Sequence, residues 1–313
     1  MKQRNILLQE HDMQRSIASA FLLGIVCVAG SAGVAFAQEA LAQQGLSTSL
    51  SMYYTQFMNG IAGNWQEYGE LFTHLQGEWF RKLFLIVITA VPVVFLLHYL
   101  IVGAKHFDHD GEQILFFSKY ARIVHFIAAV SFSLLVITGL LIIFGTFFGG
   151  GAFIRGARYV HLASAMVFAV PGLLMFLLWF KDMLPQLHDI SWMLIVGGYL
   201  SKKKKPVPAG KFNAGQKMYF WFATLGGGVM AYTGYFIWGF GAGVDTVRIY
   251  TIIHNILGMG IVAFYFTHFY MSVFAIEGSL QSMKTGYKPE EEVDILHSRY
   301  NYKTNSAKLE KTL

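Results

Sequence analysis

The chain has 313 residues, 55% of them hydrophobic and 16% aromatic but only 13% charged, with a formal net charge of +6. That balance excludes an ordinary soluble domain, and the single cysteine, Cys27, excludes a disulfide framework, a thiolate zinc site or an iron–sulfur cluster held by this chain alone. The basic residues sit mainly in the gaps between apolar runs and in the tail, a pattern of membrane orientation that argues against nucleic acid as a partner.

At the N-terminus, Lys2, Arg4 and Arg15 precede an apolar stretch from Ile17 to Ala37, which ends in Ala35-Phe36-Ala37 before Gln38. Residues 1–37 have the layout of a secretory signal peptide with a small-x-small cleavage site; a retained N-terminal membrane segment is the other reading. Both readings export residues 38–82, a polar and aromatic segment with Tyr53, Tyr54, Trp65, Tyr68 and Trp79. A spanning helix takes about 20 mostly apolar residues. Five such runs follow, at 83–103, 120–147, 158–180, 217–240 and 248–275. The expected fold is an all-α, multi-pass integral membrane protein. A four-helix transmembrane bundle occupies residues 110–287, one extra transmembrane helix precedes it, and a tail runs from 288 to 313.

Lysine and arginine fix the expected orientation. Lys181, Lys202 to Lys205, Lys211 and Lys217 lie between the 158–180 and 217–240 runs, and Lys284, Lys288, Arg299, Lys303, Lys308 and Lys311 follow the last run. The other two bundle turns carry only Arg155 with Arg158, and Arg248. The lysine-rich loop and the C-terminus are therefore placed in the cytoplasm of a bacterium whose inner membrane holds the chain. Arg81 and Lys82, on the outer side, run against this pattern. Lys202 to Lys205 also suit contact with anionic membrane lipid.

Ionisable groups at membrane depth are functional candidates by default. The last four runs carry four histidines, and their positions sort them into two levels. His125 opens the second run at the inner side, and His161 opens the third at the outer side; His254 and His268 lie at the outer and inner ends of the last. A 14-residue spacing advances a helix by roughly 21 Å and leaves it about 40° from whole turns, so His254 and His268 share a face. This arrangement suits two stacked porphyrins, each between two imidazoles: His161 with His254, and His125 with His268. Two axial nitrogens close the iron's coordination and favour electron transfer over oxygen chemistry. Histidines serving a proton relay in a transporter are the competing reading.

The phrases Ala121-Arg122-Ile123-Val124-His125 and Ala157-Arg158-Tyr159-Val160-His161 repeat one pattern. An arginine three residues before a histidine shares its face and lies nearer water, where guanidinium pairs with propionates. Arg248 stands similarly ahead of His254. Gly139, Gly172, Gly234, Gly258 and Gly260 offer room between helices, as glycine commonly does in membranes. His98 reads as an interfacial residue. His106 and His109, in a segment with Asp108 and Asp110, look like a metal cluster but read better as solvated loop. His11, His74, His188 and His297 fall outside the bundle.

Ahead of the third bundle helix stands Lys211-Phe212-Asn213-Ala214-Gly215-Gln216-Lys217-Met218-Tyr219-Phe220-Trp221. Asn213 and Gln216 offer amide donors, Gly215 an approachable backbone, and Tyr219 and Trp221 aromatic walls, as a quinone requires. An ordinary helix start with Asn213 as N-cap accounts for the same residues, and the two readings are compatible.

With these motifs, and with Ile252-Ile253-His254-Asn255-Ile256-Leu257-Gly258-Met259-Gly260, Thr267-His268-Phe269-Tyr270-Met271 and the 277–286 phrase E-G-S-L-Q-S-M-K-T-G, residues 110–287 resemble a known family. It is the cytochrome b (gamma) subunit of membrane-bound respiratory formate dehydrogenases, and N-A-G-Q-K is the most specific phrase. The resemblance implies two haem b groups with His125, His161, His254 and His268 as iron ligands, and a menaquinone site at Asn213, Gly215 and Gln216. It also implies an iron–sulfur partner subunit and a molybdenum- or tungsten-pterin subunit that oxidises formate. This chain would be the electron-transfer and quinone-reducing subunit of that enzyme in the respiratory chain. A cytochrome b subunit of a membrane-bound hydrogenase is the runner-up. The first 110 residues depart from the compact family pattern, and covering the bundle or docking partners is their expected use.

Overall fold

The computed structural model describes residues 68–239 and 242–302. The signal-like segment, most of the exported segment and the end of the tail lie outside the described residues. The described part is all-α apart from one two-stranded antiparallel ribbon.

The first long helix, α1 (Glu70–Ile101), starts well before its apolar run at 83. Its leading turns are polar and pass through a π turn at Leu75–Trp79, so hydropathy alone marks only the later part. Pro92 lies inside it. After a loop containing β1 (Gln113–Leu115), α2 (Lys119–Ile143) begins where Ser118 Oγ accepts a hydrogen bond from Ala121 N–H at 3.3 Å. Next come α3 (Gly151–Trp179) and the short α4 (Leu187–Leu194). The third bundle run is built from α5 (Ala214–Trp221) and α6 (Gly227–Ile237), joined through a π turn at Phe222–Gly226. Gly226, Gly227 and Gly228 weaken the regular helix there, and Thr224 Oγ1 donates to Phe220 O at 2.7 Å. Finally α7 (Val244–Val273) is followed by α8 (Gln281–Thr285), β2 (Tyr287–Pro289) and α9 (Glu290–Leu296). Helices α1, α2, α3 and α7 are each long and apolar enough to cross a membrane. They expose apolar side chains such as Phe126, Met166, Leu173 and Leu177. Lipid is a suitable solvent for such faces, and helical backbone satisfies its own polar groups there.

The chain divides into two compact units. The first contains residues 68–92, 137–160 and 226–263. Phe80, Phe84 and Ile88 of α1 are buried in it, and Phe84 lies where a side chain on Gly258 would meet it at 3.4 Å. Asn255 Nδ2 donates to Gln76 Oε1 at 2.8 Å, and Arg81 Nη1 to Thr146 Oγ1 at 3.1 Å.

The second unit contains residues 93–136, 161–225 and 264–302. Two apolar clusters hold it, one around Trp192, Tyr199, Val207 and Ile276, the other around Phe116, Phe117, Trp179, Phe212 and Val293. The ribbon pairs Ile114 with Lys288. Gly286, at φ 96°, accepts from the Phe116 and Phe117 amides at 2.8 and 3.0 Å. A Cβ on Gly286 would stand 2.6 Å from Phe117 O, so only glycine fits this turn. Residues 288–302, expected to open a tail, are instead folded. Val293 and Leu296 are buried, Lys288 and Glu292 form a buried ion pair, and Arg299 N–H donates to Ala209 O at 3.0 Å. Apolar spacing over so short a segment gave no signal of this layer.

Candidate functional site

In the second unit, His125 near the start of α2 and His268 near the end of α7 face each other. Their ring centroids are 6.2 Å apart and their planes meet at 55°. Two imidazoles that share one metal through bonds of about 2 Å have centroids roughly 6 Å apart, since each ring adds about 1 Å from nitrogen to centre. The pair therefore fits a single iron between them. Tyr219 of α5 stacks on His268 at 4.6 Å and 20°, and Trp179 of α3 lies 6.4 Å from His125, so aromatic neighbours restrict both rings.

Arg122, one turn before His125, donates through Nη1 to the Lys284 carbonyl. Its Nε is buried and unpartnered, a donor that an anionic group would satisfy. The 277–286 phrase thus has a structural role, because the loop it forms anchors this arginine.

The segment before α5 forms the helix start foreseen for it. Asn213 Oδ1 accepts from Gln216 N–H at 2.9 Å, and Gln216 Oε1 accepts from Asn213 N–H at 2.9 Å, a reciprocal capping box. Both amides spend their oxygens on backbone, which makes their NH2 groups the donors they can present to a ligand carbonyl. Gly215 is required by packing: a Cβ there would lie 3.0 Å from the Trp192 ring and 3.3 Å from Asn213 Oδ1. Lys217, expected to signal topology, is instead buried and donates to both oxygens of Asp189 in α4, at 2.8 and 3.1 Å. Asp189 also accepts from Gln186 N–H at 2.7 Å, so one carboxylate starts α4 and ties it to α5.

His161 is also carried by the second unit, where its ring bonds the Leu135 carbonyl. In the first unit, His254 Nδ1 lies 2.9 Å from the hydroxyl of Thr233 in α6. A Cβ on Gly234 would stand 3.4 Å from His254 Cε1, so this glycine lets the imidazole approach α6. Arg158 stacks over Trp238 at 5.5 Å, and Arg248 pairs with Asp245 at 2.8 Å.

The remaining histidines are placed as follows. His98 turns inward, with Nδ1 2.6 Å from Tyr270 Oη and Nε2 2.8 Å from Tyr199 O, rather than reaching an interface. His106 pairs with Glu277, and among the described residues no group of three His, Cys, Asp or Glu is placed to hold a metal ion. His297 is fully buried, 2.9 Å from the Gly210 carbonyl, and burial with the nearby Lys288 charge pushes its pKa down to about 3. Lys105 donates to the carbonyls of Ser201 and Lys203, holding the lysine-rich loop, and burial lowers its pKa.

The sequence profile of the family described as prokaryotic cytochrome b561 matches residues 116–286, a little over half of the chain. The cytochrome b556(Fdn) subunit of the nitrate-inducible formate dehydrogenase of Escherichia coli is 32% identical over 136 residues, covering 41% of this chain and 61% of that protein. The chain thus spans about three fifths of the length of that relative. The formate dehydrogenase cytochrome b556 subunit of Haemophilus influenzae is 25% identical over 201 residues, 62% of this chain and 84% of that one.

Proposed function

Since the chain belongs to the prokaryotic cytochrome b561 family, we propose that it is the di-haem b subunit of a membrane-bound formate dehydrogenase and delivers electrons to menaquinone. The observation that carries this reading is the His125–His268 pair, at the 6.2 Å ring separation that two imidazoles need to share one iron. Haem b, when bound, supplies reversible one-electron chemistry, and a pair of imidazole ligands keeps oxygen off the metal.

His125 and His268 would hold one haem and His161 with His254 the other. Tyr219 fixes the plane of the His268 imidazole. Arg122 offers its buried Nε to an anionic edge of the group beside it. Asn213 and Gln216 orient a quinone carbonyl through their NH2 groups, already held in place by the capping box. Arg158 keeps its guanidinium over Trp238 and, three residues before His161 in sequence, would offer its charge to an anionic edge of the second haem.

The likeness to formate dehydrogenase subunits supports formate as the electron source, through an iron–sulfur subunit and a molybdenum- or tungsten-pterin subunit. The lysine distribution supports a bacterial inner membrane location with the Lys202–Lys205 loop in the cytoplasm. Proton uptake for quinone reduction then falls on the cytoplasmic side.

A pyridine haemochrome assay on the purified full chain tests this reading. Two haem b per chain are expected, falling to one in His125→Ala or His268→Ala. A colourless, correctly assembled protein, or an unchanged count in both variants, would sink it. Formate-dependent reduction of a menaquinone analogue, lost in Asn213→Leu with both haems retained, tests the quinone assignment.

A further inference from the structure

Thr233 lies in α6, within the same unit as His254, and is only 2% exposed. Its hydroxyl has one hydrogen to give and two lone pairs with which to accept. The hydrogen is directed along its own helix, because Oγ1 lies 2.8 Å from the Val229 carbonyl and 3.2 Å from that of Met230. Carbonyl oxygens carry no hydrogen, so both are acceptors. With the hydrogen spent there, Oγ1 has a lone pair left for His254 Nδ1, 2.9 Å away, and that contact then calls for the ring hydrogen on Nδ1. Nε2 is then the nitrogen whose lone pair a metal would take.

Neighbouring residues suit this arrangement. Gly234 lets the imidazole approach α6, since a Cβ there would be 3.4 Å from Cε1. Asn255, next to His254, is committed to Gln76 at 2.8 Å. At His268, by contrast, a stacked Tyr219 ring restrains the imidazole through its face.

We propose that Thr233 is a positioning residue for the iron ligand His254. It sets the tautomer and ring plane and, by accepting the Nδ1 hydrogen, makes Nε2 a stronger donor to iron. The inference rests on the di-haem reading above and adds to it the device that tunes one of the two haems. A stronger donor stabilises ferric over ferrous iron, so Thr233 lowers the potential of the haem held by His254.

The test is a redox titration of the full chain in its membrane complex, with low-temperature electron paramagnetic resonance of the oxidised haems. Thr233→Val removes the hydroxyl at nearly constant volume, Thr233→Ala removes it without the branched side chain, and Thr233→Ser keeps it. In the two hydroxyl-free variants one midpoint potential rises and its low-spin signal shifts, while the other haem stays unchanged. The haem affected is the one missing from His254→Ala, and Thr233→Ser titrates like the wild type. Selective loss of that haem in the hydroxyl-free variants, with retention in Thr233→Ser, supports the same conclusion. Unchanged potentials in haem-replete Thr233→Val and Thr233→Ala overturn the inference while leaving the di-haem reading intact. So does a shift in Thr233→Ser as large as that in Thr233→Val. A wild-type chain without haem overturns both.

Discussion

Lys217→Met is expected to loosen α4 from α5 by roughly 3–5 kcal/mol, the usual cost of leaving half of a buried ion pair behind. Asp189 and Lys217 are 6% and 5% exposed, and Nζ reaches both carboxylate oxygens. Without it, the carboxylate keeps Gln186 N–H as its one hydrogen-bond donor, with the His188 ring 3.8 Å away, beyond hydrogen-bond reach, and a charge held away from water is left poorly compensated. At about 1.4 kcal/mol per factor of ten, local opening becomes a hundredfold to a few thousandfold more frequent. Amide hydrogen exchange of the peptides covering α4 and α5 reads that opening directly, where a global melting point of a membrane protein would blur it. The double variant Asp189→Asn with Lys217→Met removes the stranded charge, and the neutral amide that replaces the carboxylate can still accept from Gln186 N–H. The loss in the double variant should shrink to about 1 kcal/mol, the scale of an ordinary hydrogen bond. Unaltered exchange in Lys217→Met, or a double variant that opens as readily as the single, would refute the reasoning.

Other expectations follow from individual contacts. Buried His297 stays neutral down to about pH 3, whereas the unfolded chain takes up that proton near pH 6.5. The unfolded state binds more protons in this window, so the stability contribution is complete above pH 6.5 and declines as pH falls toward 3, by up to about 1.4 kcal/mol per pH unit. His297→Phe should flatten the pH dependence of exchange in α9, and an equally steep profile would count against this. Gly286→Ala forces an L-residue into left-handed backbone, about 1–2 kcal/mol before any collision with Phe117 O, and faster exchange at the Phe116 and Phe117 amides would report it. Gly215→Ala drives a methyl against Trp192, and overpacking of about 1–3 kcal/mol should weaken binding of a quinone analogue by about fivefold or more at an unchanged haem count. If the analogue binds as before, Gly215 does not shape that site.

Features written in consecutive residues were legible in the sequence. The long helices announced themselves as apolar runs, and Asn213 announced a helix start as its N-cap, because both depend on neighbours within a turn or two. The four histidines stood out because imidazole is costly in hydrocarbon. What escaped depends on residues distant in sequence. Lys217 looked like one more loop lysine, since nothing local links it to Asp189, 28 positions earlier. Thr233 resembled any threonine in a membrane helix, and only the approach of His254 gives its hydroxyl a task. His98 was read as interfacial because Tyr270 and the Tyr199 carbonyl come to it from other parts of the chain. The fold of residues 288–302 was missed for a related reason, since its short helix and strand become stable only against Phe116, Val207 and Ala209.

Helix α1 precedes the stretch shared with the family, yet it is stitched to that stretch by polar contacts. His98 occupies the Tyr270 hydroxyl and the Tyr199 carbonyl with its two nitrogens, and Gln76 occupies the Asn255 amide. Trimming the protein to its homologous portion would leave these groups without their partners, and a buried polar atom left unmet costs about 1–3 kcal/mol. Excising α1 is thus expected to expose polar surface on the homologous stretch rather than to leave that stretch intact.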